Sequence, residues 1–314
     1  MPDAQSILAV AVFGLGTMGH GIVQTFARAG CRVRGYDADR RAGDTLGERI
    51  ETNLNQMAEA GLGEHAAIPA VLERITVCQT ESEAARGAQF VVEAVREDLT
   101  EKQALFGRLE LTVEGDAILA SNTSSYRVTD IAANLRRPDR VVATHWFNPP
   151  HIVPVVEVVP GEKTSAETVQ TTYDLLARVG KMPVRVNQEI PGFLVNRVQV
   201  AMFREILDLL DRGIASAEDI DRAVRGSIGL RLAAMGPLAI IDFAGWDVTG
   251  KVYQNLVPDL RRDTDLPQTA RQLLESGRLG VKTGHGIYDY PADSAQRRQK
   301  DRDQAYLAIA KLLE

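Results

Sequence analysis

Three short segments of the chain carry side chains able to move a proton. Ser121-Asn122-Thr123-Ser124-Ser125 follows the apolar run Ala117–Ala120, His145-Trp146-Phe147-Asn148-Pro149-Pro150 follows Arg140–Thr144, and Glu157 lies within Val155–Val159. A histidine titrates near neutrality, so it can take a proton from a hydroxyl group and return it. A carboxylate on the far ring nitrogen fixes the tautomer and supports the imidazolium that forms. His145 as base, Glu157 as its partner and Ser124 on the substrate oxygen would suit removal of a carbinol proton as hydride leaves the same carbon. Each residue also has a plain structural reading, as a strand-end histidine, an edge-strand charge, and a turn or helix-capping cluster. Their joint placement at the ends of successive strands favours the chemical one. His151 lies in a connection between Pro150 and Pro154 and reads as a pocket wall, while His65 and His285 read as surface residues.

A hydride needs an acceptor, and the start of the chain supplies a place for one. The apolar run Leu8–Phe13 leads into Gly14-Leu15-Gly16-Thr17-Met18-Gly19, a G-x-G-x-x-G that opens a helical pattern. In such a turn the first glycine permits the bend, the second lets backbone approach a pyrophosphate, and the third lets helix pack on strand. Arg32–Tyr36 reads as the next strand, so Asp37 at its end suits the adenosine ribose hydroxyls and would repel a ribose phosphate. The expected cofactor is NAD. Arg40 and Arg41, just beyond, form a basic pair compatible with a phosphate. His20 follows the loop and reaches either the phosphates or nothing.

The elements that must position these groups alternate strand-like and helical as far as about residue 188. Gln89–Val95, Ala117–Ala120, Arg140–Thr144 and Val155–Val159 are short, rich in β-branched residues and separated by amphipathic stretches. The expected fold is α/β, a Rossmann doubly wound parallel sheet over residues 1–189, followed by an all-helical domain over 190–314. Behind Ile190-Pro191-Gly192, Phe193–Leu210 has helical periodicity ending near Gly213, and Ser216 is placed to cap a further helix. At 314 residues and 45% hydrophobic the chain is long enough for two cores. Its net charge of −6 argues against a nucleic-acid partner, and Arg297-Arg298-Gln299-Lys300 reads as a solvated helix face. Cys31 and Cys78 make no disulfide framework and, with no metal-ligand spacing elsewhere, point to a reduced cytoplasmic setting. Met1–Ser6 is polar and no apolar run approaches ~18 residues, so neither a signal peptide nor a membrane span is expected.

From Ala11 to about Tyr290 the chain resembles the 3-hydroxyacyl-CoA dehydrogenases. The resemblance rests on Gly14–Gly19, Val92-Glu93-Ala94-Val95-Arg96-Glu97, Ser121–Ser125, His145–Pro149, Pro191-Gly192-Phe193-Leu194-Val195-Asn196-Arg197, Met235-Gly236-Pro237 and Lys282-Thr283-Gly284-His285-Gly286, in the family's order. It implies His145 as base, Glu157 as its partner, and Ser124 and Asn196 on the reacting oxygen. It further implies Glu97, Lys102, Asn148 and Lys282 at the nicotinamide end, and a homodimer through the helical domain.

The departures concern substrate. In acyl-CoA members the helix after the second strand and the hairpin beyond carry a serine and several lysines for the CoA nucleotide, whereas Asn53–Glu64 here has no Lys or Arg. Lost charge-assisted contacts to phosphate weaken CoA binding. Before Met235, where acyl-CoA members tend to have a Gly- and Pro-containing turn, Arg231 stands in Gly229–Ala234 and would suit a free carboxylate, or else faces solvent on a helix. These features look more like the CoA-independent branch, which includes gulonate dehydrogenase of the lens lambda-crystallin type, carnitine dehydrogenase and, nearest, a pyridine-carboxylate dehydrogenase of vitamin B6 breakdown. A short acyl-CoA substrate held by other contacts is the alternative. The opening motif also resembles hydroxyisobutyrate and phosphogluconate dehydrogenases, whose lysine base on a glycine-rich helix has no counterpart here. A non-catalytic NAD-binding structural protein is a further alternative, opposed by the intact Ser124, His145, Glu157 and Asn196.

Overall fold

Short β-branched runs joined through intervening helices pair in parallel, because a crossover of a dozen or more residues returns the chain to the same edge direction. The computed structural model describes residues 3–312, so Met1 and Pro2 of the polar opening stretch lie outside the described residues. One sheet contains β1 (Ala9–Phe13), β2 (Arg32–Tyr36), β3 (Ile75–Val77), β4 (Phe90–Glu93), β5 (Ile118–Ser121), β6 (Val141–Trp146), β7 (Val155–Pro160) and β8 (Met182–Arg185). Their order is β3-β2-β1-β4-β5-β6-β7-β8. The order reverses at β1, which has β2 on one side and β4 on the other, and the crevice beyond their carboxyl ends is where such sheets take ligands.

The central strands are covered on both faces, so they read as nearly continuous apolar runs. On β1, Val10 and Val12 join one buried cluster with Ile22, Phe26 and Val92. Phe13 points to the other face and packs in a second cluster with Phe106, Leu119 and Phe193. Cys31 is buried, Cys78 is half-buried, and both are free thiols.

One strand departs from the expected parallel arrangement. β7 runs antiparallel to β6, with His145 directly opposite Glu157. The connection 147–154 is too short for a crossover helix, which takes about a dozen residues, so the chain turns back on itself. β8 then pairs parallel with β7 and closes the sheet as an edge strand, where Pro183 is tolerated.

The chain divides into two compact units, Met1–Asn196 and Arg197–Glu314. The second is helical, with Ser216 capping the helix Ala217–Val224 by accepting from the Asp219 N–H. A π-helical turn, Arg225–Gly229, carries that helix into Leu230–Ala234. Its amphipathic helices leave large apolar side chains uncovered: Pro237–Ala244, Trp246–Leu256 and Gln268–Glu275 bury no residue, and Phe243 is 83% exposed. Arg297, Arg298 and Lys300 are exposed. Among the described residues no single helix is long and apolar enough to cross a membrane, and no cluster of His, Cys, Asp or Glu is suited to a metal.

Candidate active site

His145 is the penultimate residue of β6, and antiparallel pairing puts Glu157 beside it on the same face. The imidazole Nδ1 lies 2.6 Å from Glu157 Oε2. A carboxylate can only accept, so Nδ1–H donates and Nε2 is left as the proton acceptor. Glu157 is fully buried, and its other oxygen accepts from the Leu194 and Val195 N–H groups at 2.9 and 2.8 Å. Those N–H groups open the helix Val195–Asp211, whose positive dipole end favours the carboxylate charge. Asn196 is the next residue, so the amides that hold the base's partner and the asparagine implied by resemblance share one helical turn. The imidazole is held edge-on by Phe147, 4.5 Å between ring centres, and Phe193, 5.6 Å. Phe193 is buried with φ 48°, a left-handed conformation that costs a side-chain-bearing residue about 1–2 kcal/mol. The turn Pro191-Gly192-Phe193 thus drives an aromatic wedge against the base.

Ser124 is exposed on the loop after β5, and the loop is braced by carboxylates. Glu97 Oε1 accepts from the Thr123 hydroxyl, the Ser124 and Ser125 N–H groups and the Ser125 hydroxyl, all between 2.6 and 3.0 Å. Burial pushes Glu97 up, but the Thr123 hydroxyl and the Lys102 ammonium prevail and hold it below the ordinary value. Lys102 is 1% exposed, its amine 2.7 Å from Glu93 and 3.2 Å from Glu97. Glu93 is buried and also accepts from the Ser121 hydroxyl at 2.6 Å; burial pushes its carboxyl up, against the pull of Lys102. Lys102 therefore reaches the serine loop through Glu97 and Glu93. Asn122 completes the frame, its side-chain oxygen accepting from the Trp146 N–H next to the base.

The glycine loop fits a dinucleotide. Gly14 has φ 89°, and a Cβ there would stand 2.4 Å from the Ala94 carbonyl oxygen. On Gly19 a Cβ would fall 1.7 Å from the Gly14 carbonyl oxygen, so the helix Gly19–Arg28 seats only with glycine there. Over Gly16 a Cβ meets nothing within 4 Å, which leaves backbone open to a ligand. Leu15, Thr17 and Met18 complete the loop. Asp37 ends β2 with one oxygen on the Leu15 N–H at 2.6 Å and the other on the Asp39 N–H. A cleft of about 560 Å³ runs past Gly14, Gly16, Asp37 and Val95 to Arg108. Arg40 and Arg41 are exposed beside it in sequence.

The two halves of this site are joined by the 147–154 connection. Lys181 is half-buried and donates to the carbonyls of Pro150 and Val153 at 2.6 and 3.0 Å, with its amine over the Trp146 ring. Burial, with the charge of Arg28, pushes Lys181 down to about 7. On the other side the connection rests on Gly21, where a Cβ would meet Pro150 Cγ at 2.7 Å and His151 Nδ1 at 3.1 Å. His151 is buried there as a wall, and His20 places Nδ1 2.9 Å from the Gly16 carbonyl oxygen. Asn148 is exposed in the connection, preceding a cis Pro149.

The remaining two predicted residues belong to the second unit. Lys282 is exposed in the turn Val281–Thr283. Arg231 is exposed on Leu230–Ala234, with Nε donating to the Ser227 carbonyl of the preceding π-helical turn. Sequence reasoning left Glu93, Phe193 and Lys181 without a role. The first was detectable, since a carboxylate ending a fully buried strand requires a partner.

Residues 9–190 match the 3-hydroxyacyl-CoA dehydrogenase NAD binding domain, and residues 192–290 match the C-terminal domain of the same family. The chain is 33% identical over 306 residues to 5-formyl-3-hydroxy-2-methylpyridine 4-carboxylate 5-dehydrogenase of Mesorhizobium japonicum, covering 97% of this chain and 98% of that one. It is 38% identical over 285 residues to a probable 3-hydroxybutyryl-CoA dehydrogenase of Bacillus subtilis, covering 90% and 98%. Among solved structures, the pyridine-carboxylate 5-dehydrogenase, described as an NAD+-dependent dismutase, superposes with a TM-score of 0.92 at 33% identity, covering 98% of each chain. The (S)-3-hydroxybutyryl-CoA dehydrogenase of Ralstonia eutropha gives 0.74 at 31% identity, covering 91% and 99%.

Proposed function

Because the chain belongs to the 3-hydroxyacyl-CoA dehydrogenase family, an NAD-dependent group acting on hydroxyl donors, we propose that it oxidises the alcohol of a CoA-free carboxylate. The nicotinamide, when bound, supplies the hydride acceptor. Gly14, Leu15, Gly16, Thr17, Met18, Gly19 and Asp37 would hold the cofactor's adenosine and pyrophosphate, with Glu97 and Asn148 at the nicotinamide end. His145 Nε2 takes the hydroxyl proton, and Glu157 supports the imidazolium that results. Ser124 and Asn196 bond the reacting oxygen.

The observation that carries the CoA-free reading is the charge on the helix Leu46–Glu59 and the turn after it. Glu48, Glu51, Glu59 and Glu64 are exposed, while Arg49, the one arginine or lysine on that helix after its first turn begins, is turned to backbone carbonyls of the glycine loop. Against these four carboxylates the turn presents one cation, Arg28, whose guanidinium donates to the Leu62 carbonyl, so on balance the surface disfavours a phosphorylated handle. The closer superposition on the pyridine-carboxylate enzyme supports the same reading.

The test is NADH formation with 3-hydroxybutyryl-CoA compared with gulonate, carnitine and pyridine carbinol carboxylates. Preference for a free acid is the expected result; preference for the thioester would restore the acyl-CoA reading, and no turnover with any would favour a structural role. We also assign a homodimer built through the helical unit. Apolar side chains as exposed as Phe243 and Trp246 exceed what a monomer normally leaves in water, and a second copy would cover them. Light scattering that gives the mass of one chain would refute it.

A further inference from the structure

Arg49 has no part in the proton chemistry, yet its guanidinium is directed at the cofactor turn. Nη2 lies 2.9 Å from the Leu15 carbonyl oxygen and 2.6 Å from that of Ala42, and Nη1 lies 3.4 Å from that of Gly16. The Gly16 carbonyl also receives His20 Nδ1 at 2.9 Å. On its other side the Leu15 N–H is held by Asp37. The loop is therefore gripped through its carbonyls by two helices, through Arg49 and His20, and through an amide by Asp37 at the end of β2.

Peptide geometry gives this grip a consequence. In a trans peptide the C=O and N–H point in opposite directions. The Leu15 carbonyl shares its peptide with the Gly16 N–H, and the Gly16 carbonyl shares its own with the Thr17 N–H. Drawing both carbonyls toward Arg49 turns both N–H groups away from it. A loop left to itself would have to order those amides when an anion arrives, at a cost in backbone conformational entropy.

Resting on the reading that this turn takes NAD, we propose that Arg49 is a positioning residue of the cofactor cradle, which aims the Gly16 and Thr17 N–H groups at the pyrophosphate before it binds. Its charge, only half-buried, adds a cation near the same phosphates and offsets Asp37. Lysine would retain the charge but not the fork that spans several carbonyls.

The experiment uses the full-length protein, with R49Q and R49K, and measures the Kd of ADP-ribose and of adenosine by calorimetry beside thermal unfolding. ADP-ribose carries the pyrophosphate; adenosine carries only the ribose that Asp37 reads. R49Q should weaken ADP-ribose about 10-fold or more, the scale of one lost charge-assisted contact. Adenosine should move less than about twofold, and R49K should recover part of the loss. Unchanged ADP-ribose binding, or equal weakening of both ligands, would overturn the proposal and leave Arg49 a staple between helix and loop. Failure of the wild-type protein to bind ADP-ribose or NAD would instead sink the cofactor reading beneath it.

Discussion

Replacing Glu157 by Gln removes a charge but almost no volume, and the structure indicates how the amide would settle. The carboxylate accepts three hydrogen bonds in a site with no solvent, one from His145 and two from the Leu194 and Val195 N–H groups. A glutamine has a single accepting oxygen. If that oxygen meets His145, the NH2 group faces two backbone donors, and each unsatisfied buried donor costs about 1–3 kcal/mol. If the oxygen meets the backbone, the NH2 group faces Nδ1, which must then accept, so the imidazole proton moves to Nε2 and the base is lost. The second arrangement is favoured by about 2–6 kcal/mol, which leaves the working tautomer populated at about one part in 30 to one in 10⁴. Turnover should fall by that factor, with further loss because no carboxylate remains to support the imidazolium. The assay is kcat with the preferred substrate, alongside the Kd for NAD and the unfolding midpoint. A variant that keeps kcat within about threefold, or whose loss is matched by lost NAD binding or by unfolding, would refute the tautomer argument.

Four other outcomes are expected. H145Q should lower turnover about 100-fold or more while sparing NAD binding; unchanged turnover would remove His145 from its role. K102M strands the buried Glu93 carboxylate and should cost about 3–5 kcal/mol in urea unfolding, partly restored by adding E93Q. Because burial already raises Glu93, the variant's penalty should be absent in acid and grow as pH rises past the ordinary glutamate range, and a pH-independent loss would contradict this. Lys181 is held at about 7 against an ordinary 10.5, so the folded protein binds fewer protons than the unfolded chain between those values. Its share of stability therefore rises with pH through that window, and K181M should flatten the rise seen in unfolding titrations. R231M tests the carboxylate contact suggested by the sequence: KM for a carboxylate substrate should rise about 10-fold while that of a neutral alcohol analogue stays unmoved, and equal KM values leave Arg231 a solvent-facing residue.

The cofactor turn was legible because its signal is local: four buried residues, three glycines and an acid follow one another in chain order. His145 and Glu157, with their roles as base and partner, are legible from type and strand position, but the antiparallel register that sets them opposite each other is not, and only the length of the 147–154 connection hints at it. β3 and β8 escaped notice for physical reasons. The first is three residues long with two of them exposed, and the second contains Pro183. Lys102 was placed at the nicotinamide end by resemblance, whereas its buried contacts with Glu93 and Glu97 arise from a helix returning over two strand ends, a relation no spacing rule encodes. Arg49 was equally hidden, since its carbonyl partners Leu15 and Gly16 lie 34 and 33 positions away in the chain.

The pairing of His145 with Glu157 also bears on how this gene can vary. Side chains alternate between faces along a strand, so a slip of one residue between β6 and β7 would send Glu157 to the opposite side of the sheet and leave the imidazole facing a valine. The connection 147–154 sets that alignment, and it is fastened at both sides by Lys181 and by the close fit over Gly21. Loops are where lineages usually accept inserted and deleted codons. This one is closed to them: a frame-preserving deletion of a single codon there would leave His145 and Glu157 encoded and still abolish the enzyme.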